Sequence, residues 1–101
     1  MEIDIKDVDY KKYITLTGKL DSNCSNEVTE KILDTVRENP NIVIDMKNCT
    51  YLSSAGLRTL LTIGKTIKLK SGYMSIINLV DDVKEIMEMT GFSSIFKSFE
   101  K

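Results

Sequence analysis

The chain has 101 residues, 42% hydrophobic and 29% charged, with 14 basic and 15 acidic residues and a net charge of −1. These totals fit a single small globular domain over residues 1–101 rather than a disordered chain. They exclude the basic surplus that draws a protein non-specifically to nucleic acid or to an anionic membrane, and no apolar run approaches the roughly 18 residues of a bilayer span.

Met1-Glu2-Ile3-Asp4 is acidic and alternating, unlike a secretory signal. Ile3 and Ile5 alternate with Asp4 and Lys6, the chain turns near Asp9-Tyr10-Lys11-Lys12, and Ile14 and Leu16 then alternate with Tyr13, Thr15 and Thr17. This predicts a β-hairpin with one apolar and one wet face. Gly18-Lys19-Leu20-Asp21 ends its second strand.

From about Ser25 to Glu38 the period becomes helical: Val28, Ile32 and Val36 recur every fourth residue and Leu33 widens the stripe. Asn39-Pro40 stops this helix, because proline disfavours the α conformation in the residue before it. Ile42-Val43-Ile44 is an unbroken β-branched run, expected to be a central strand buried on both faces, and Asp45 closes it.

A second helix is expected from about Ala55 to Lys70, with Leu57, Leu60, Leu61, Gly64 and Ile67 inward and Arg58, Thr62 and Lys65 outward. Gly64 costs roughly 1 kcal/mol of helix propensity relative to alanine, which suggests a close approach to the sheet. Lys65 to Lys70 reads as the solvated end of the helix, where cations suit the dipole, and Ser71-Gly72 terminates it. Met74, Ile76 and Ile77 form a further strand. Asp81 or Asp82 is expected to cap a third helix carrying Val83, Ile86 and Met87, with Met89 at the core edge and Gly91 at its end. Phe92, Ile95, Phe96 and Phe99 make an apolar tail expected to close the core.

The expected order is β-β-α-β-α-β-α. Two βαβ units imply parallel pairing, and the hairpin adds an antiparallel pair. The result is a small mixed β-sheet with helices packed mainly on one face.

The chain contains no histidine, which removes the commonest general base, metal ligand and partner of a nucleophile. Cys24 and Cys49 form no metal-binding pattern and read as small apolar groups. With no export signal and two cysteines, a reducing cytoplasm is the expected location. No metal or cofactor is expected.

The segment Tyr51-Leu52-Ser53-Ser54-Ala55-Gly56-Leu57-Arg58 places serines at the start of the second helix. Backbone N–H groups there lack partners and the dipole favours negative charge. Ser54 is therefore open to three readings: an N-cap, whose loss typically costs about 1 kcal/mol; a contact to bound phosphate; or a phospho-acceptor. The segment lacks a phosphate-loop lysine and a second glycine, and without histidine no Ser-His-acid triad can form. Asp21 and Asp45, each at a strand end, read as turn or capping residues on local grounds.

Two motifs resemble those of the STAS domain, specifically the single-domain anti-sigma factor antagonists of bacteria. Gly18-Lys19-Leu20-Asp21 is similar to the family's Gly-x-Leu/Ile-Asp. Ile44-Asp45-Met46 followed by Tyr51-Leu52-Ser53-Ser54-Ala55-Gly56-Leu57 is similar to its strand-end aspartate and serine loop. The likeness covers nearly the whole chain and implies a phospho-switch binding protein rather than an enzyme. It implies that Ser54, two before the glycine, is the acceptor. Ser53 stands where the family usually has aspartate and is the less favoured alternative acceptor. The implied partner surface is Asp21, Ser53, Ser54, Ala55, Gly56, Leu57 and Arg58, with Asp45 flanking it. The implied partners are an anti-sigma factor that is itself a serine kinase, and a separate phosphatase. The alternatives are a non-switching STAS scaffold subunit in a lipid-transport or stress-sensing assembly, and a nucleotide-binding domain.

Overall fold

The structure is a computed structural model and describes residues 1–89. The described elements are β1 (Glu2–Val8), β2 (Lys11–Leu20), α1 (Ser25–Glu38), β3 (Asn41–Asp45), β4 (Cys49–Leu52), α2 (Ser54–Leu69), β5 (Tyr73–Ile77) and α3 (Asp81–Met89). The sheet runs β1-β2-β3-β5, with β4 beside the far end of β2. The pairing is antiparallel for β1 with β2 and parallel for β2 with β3, β3 with β5, and β2 with β4. The expected mixed sheet, with its hairpin and two parallel crossovers, is present.

The hairpin turns on Asp9 and Tyr10, both at positive φ (50° and 66°), which matches the primed two-residue turn favoured by the strand twist. Ile3 pairs with Leu16 and Ile5 with Ile14, so these four share the inward face. The C-cap of α1 is Asn39, extended at φ −157°, ψ 114°, as a residue before proline should be.

Four expectations need correction. The first concerns β4, which the sequence pattern places within a loop. Its burial runs buried, exposed, exposed, buried, so the period-2 signature of a strand is missing. It exists because β2 changes partner. Residues Lys12–Thr15 pair with β3, and from Gly18 onward the strand pairs with β4, with a register shift between Gly18 and Lys19. Gly18 sits there at φ +118°, a conformation that costs a glycine little.

The second concerns Val43, which is only half-buried between fully buried Ile42 and Ile44. It lies level with half-buried Tyr13 on the neighbouring strand. The β-branched run is thus central in the sheet but not fully enclosed.

The third concerns α3. The first helical bond, from Lys84 N–H, is accepted by the Val80 carbonyl at 2.9 Å. Val80 therefore occupies the cap position, and Asp81 and Asp82 lie in the first turn, where carboxylates favour the dipole. The fourth concerns Met89, which is 78% exposed, whereas Met87 is fully buried. The expectations for Gly91, Phe92, Ile95, Phe96 and Phe99 lie outside the described residues.

The core joins Ile14, Leu16 and Leu20 of β2, Val28, Ile32 and Val36 of α1, Ile42 and Ile44 of β3, and Leu60, Ile63 and Ile67 of α2. Ile63 is fully buried although the sequence reading did not place it inward, and Leu61 is only half-buried. Gly64 is buried on α2 as expected. The C-terminal ends of β2 and β4 lie side by side, with Leu20 paired to Leu52. Both chains leave the sheet at this point, one toward α1 and the other into α2.

Candidate functional site at the start of the second helix

The two exits are joined by one hydrogen bond. Ser53 N–H donates to the Leu20 carbonyl at 3.0 Å. That bond sets Asp21, the next residue of the first loop, beside the serine segment. The Asp21 loop is itself folded tightly. One side-chain oxygen accepts from Asn23 N–H at 3.0 Å, and its carbonyl accepts from the N–H groups of Cys24 and Ser25 at 3.2 and 3.0 Å. These bonds bear out the turn reading of Asp21.

The cap of α2 is Ser53, not Ser54. Ser53 is extended (φ −92°, ψ 175°), and its hydroxyl oxygen accepts from Gly56 N–H at 3.2 Å. Its carbonyl accepts from Leu57 N–H at 2.9 Å. A cap needs non-helical φ and ψ and a side-chain oxygen two or three residues before the N–H it serves. Ser54 is the first helical residue, and its exposed side chain makes no hydrogen bond among the described residues. The two adjacent serines thus do different work, which local sequence could not separate.

Gly56 lets the helix start where it does. A Cβ at this position would lie 2.5 Å from the Leu20 carbonyl oxygen, 2.8 Å from Leu52 Cδ1 and 2.9 Å from Leu20 Cγ. The first turn of α2 therefore rests directly on the ends of β2 and β4. Leu57 is buried beneath it, while Arg58 faces solvent.

Beside the serines, α1 and α2 enclose an open cleft of about 160 Å³, lined by Ser25, Asn26 and Thr29 on one side and by Ala55, Arg58, Thr59 and Thr62 on the other. Its floor is hydrogen-bonded. The Thr29 hydroxyl lies 2.7 Å from the Ser25 carbonyl and 2.9 Å from the Thr59 hydroxyl, which is 3.2 Å from the same carbonyl. The sequence reading missed the contribution of α1. The available signal was Thr59, a polar residue inside the apolar stripe of its helix and only 3% exposed.

Asp45 is completely buried, and its bonds lead elsewhere. It accepts from Tyr13 Oη at 2.7 Å, Lys47 N–H at 3.0 Å and Asn78 Nδ2 at 3.2 Å, with Lys47 Nζ at 3.7 Å. Burial pushes its carboxyl pKa up, but the hydrogen bonds from Tyr13, Lys47 and Asn78 and the Lys47 charge hold it below the usual carboxylate value. The same bond raises the Tyr13 hydroxyl, with burial adding to it. None of these partners belongs to the Ser53–Arg58 segment. Asp45 ties together β2, β3 and the residue after β5.

Cys49 is buried and Cys24 half-buried, both as free thiols, in keeping with small apolar groups. Burial pushes the Cys49 thiol up, which suppresses its thiolate. Among the described residues no three His, Cys, Asp or Glu side chains are placed to hold a metal ion, and no helix is long and apolar enough to cross a membrane.

BtrV of Bordetella bronchiseptica, described as a putative anti-sigma factor antagonist, is 38% identical over 55 residues, which is 54% of this chain and about half, 47%, of that protein's length. The anti-sigma F factor antagonist of Paenibacillus polymyxa is 27% identical over 89 residues, covering 86% of this chain and 76% of the relative. The solved structure of the Bacillus cell fate determinant SpoIIAA in its phosphorylated form superposes with a TM-score of 0.76 at 13% identity, covering 99% of this chain and 91% of that one, and so shares the fold. The family model of the STAS domain matches residues 2–101. The chain belongs to the STAS domain family.

Proposed function

We propose that this protein is an anti-sigma factor antagonist that works by partner switching. In its unmodified state it binds an anti-sigma factor that is itself a serine kinase, and so frees a sigma factor for transcription. The kinase moves the γ-phosphoryl group of ATP to Ser54 Oγ; ADP leaves, the hydroxyl proton is released, and the complex separates. A distinct phosphatase hydrolyses the phosphoserine and resets the protein. The protein acts in the cytoplasm as a binding component rather than an enzyme and needs no cofactor of its own.

The observation that carries this reading is the division of labour between the serines. The Ser53 hydroxyl is committed to Gly56 N–H, whereas Ser54 is exposed and makes no side-chain hydrogen bond among the described residues. Phosphate on Ser54 leaves the cap intact and sits at the helix end that tolerates negative charge. Phosphate on Ser53 would instead be added to the oxygen that already accepts from Gly56 N–H. The naming of the Paenibacillus relative and the existence of a phosphorylated SpoIIAA also support the reading. A doubly charged group held against a docked protein surface without a cation from that surface is strongly unfavourable, so modification separates the partners without unfolding either.

The test is incubation with the cognate kinase and ATP, with the phosphate located by mass spectrometry. Modification at Ser54 is expected. An unmodified protein, or phosphate confined to Ser53, refutes the assignment.

A further inference from the structure

The cleft between α1 and α2 carries charge of one sign. Of its lining side chains only Arg58 is charged. Arg58 is exposed, and among the described residues it makes no ion pair and no side-chain hydrogen bond. The hydroxyls of Thr29 and Thr59 are bound to each other and to the Ser25 carbonyl, and neither is bonded to the guanidinium.

Ser54 and Arg58 stand four residues apart on the same helix, both exposed. Side chains at this spacing are neighbours, with Cβ atoms about 5–6 Å apart. The planar guanidinium can offer two parallel N–H donors to a phosphate. The nearest basic residues after Arg58 on α2 are Lys65 and Lys68, about two or more turns further along.

We propose that Arg58 receives the phosphate of phosphorylated Ser54 in cis. This rests on the reading of Ser54 as the phospho-acceptor and adds how the modification is read. In the unmodified protein the cleft presents one positive charge, complementary to a carboxylate on a docked surface. Once Ser54 is phosphorylated, the guanidinium turns to its own helix, and the surface becomes net negative. The switch therefore withdraws an attraction as well as adding a repulsion, and both act against the complex.

The experiment uses the full chain with phosphoserine genetically encoded at position 54, so that no kinase is needed, alone and combined with Arg58→Gln or Arg58→Lys. The readouts are the Arg58 Nε–H resonance and the pH titration of the phosphorus signal. The Arg58 Nε–H resonance is expected to move when Ser54 carries phosphate. The second ionisation of the phosphate is expected about 0.3 pH unit lower with Arg58 in place than in the Arg58→Gln protein. High salt should narrow that gap, and Arg58→Lys should retain part of it. An unmoved Arg58 resonance together with equal titration in the Arg58 and Arg58→Gln proteins overturns the proposal. The kinase assay on the unmodified chain separately decides whether Ser54 is the acceptor, so the two failures are distinguishable.

Discussion

Gly56 and Leu20 approach so closely that a side chain on the first would overlap the backbone of the second. The distance from a Cβ on Gly56 to the Leu20 carbonyl oxygen would be 2.5 Å, and that oxygen already accepts the Ser53 N–H. The glycine of the serine segment is thus a packing requirement. It lets a helix begin on top of two strand ends and brings the Asp21 loop next to Ser53 and Ser54.

Gly56→Ala should therefore destabilise the fold, although alanine is the better helix former by about 1 kcal/mol. The obstructing atom is backbone and cannot rotate away, so the helix start must shift. A net loss of about 1–3 kcal/mol is expected, read as a lower urea midpoint. An unchanged or raised midpoint would show that the contact relaxes at no cost.

The two serines should respond differently to alanine. Ser53→Ala removes the hydroxyl that accepts from Gly56 N–H and should cost about 1 kcal/mol. Ser54→Ala, at an exposed first-turn position, should stay within about 0.5 kcal/mol of the parent. Ser53→Asp should keep a good cap and hold stability close to the parent. Equal losses for the two alanine variants would contradict the cap assignment.

Binding to the cognate kinase should separate charge from shape at Ser54. Ser54→Ala should bind about as tightly as the parent. Ser54→Asp should bind at least roughly tenfold more weakly, a difference of about 1.4 kcal/mol. Calorimetry gives both affinities directly. Matching affinities for the two variants would mean that charge is not the signal.

Acid stability should report on Asp45. Its folded pKa is lowered from 3.8, so the folded state binds the proton less readily than the unfolded chain. The associated stability is present above the unfolded value and is lost as pH falls through the folded one. Asp45→Asn should flatten this part of the stability curve below about pH 4 and cost about 1.5–3 kcal/mol at neutral pH, the range for hydrogen bonds to a charged group. Denaturant titrations at several pH values test both. At the alkaline end Tyr13, whose folded pKa is raised from 10.0, contributes stability that is lost as pH rises above that value, and Tyr13→Phe should remove the effect.

Much of the fold was legible because hydrophobic period reports local burial directly. Val28, Ile32 and Val36 define α1 from Ser25 to Glu38, and Pro40 marks its end through a steric effect on Asn39 alone. The short β4 was not legible. Cys49–Leu52 has no alternation, and its strand character comes from β2 switching partners at Gly18, a residue far away in the chain.

The sequence by itself determined the family motifs, the hairpin, the helices and the position of the serine pair at a helix start, since each depends on neighbours within a few residues. Tertiary structure decided which serine caps α2 and which is exposed, that Gly56 must be bare because Leu20 lies against it, and that Asp45 binds Tyr13 and Asn78 instead of the serine segment. It also decided that Thr29 of α1 shares a cleft with Arg58. These outcomes depend on backbone geometry and on contacts between distant segments, and a pattern read along the chain carries no information on where such segments meet.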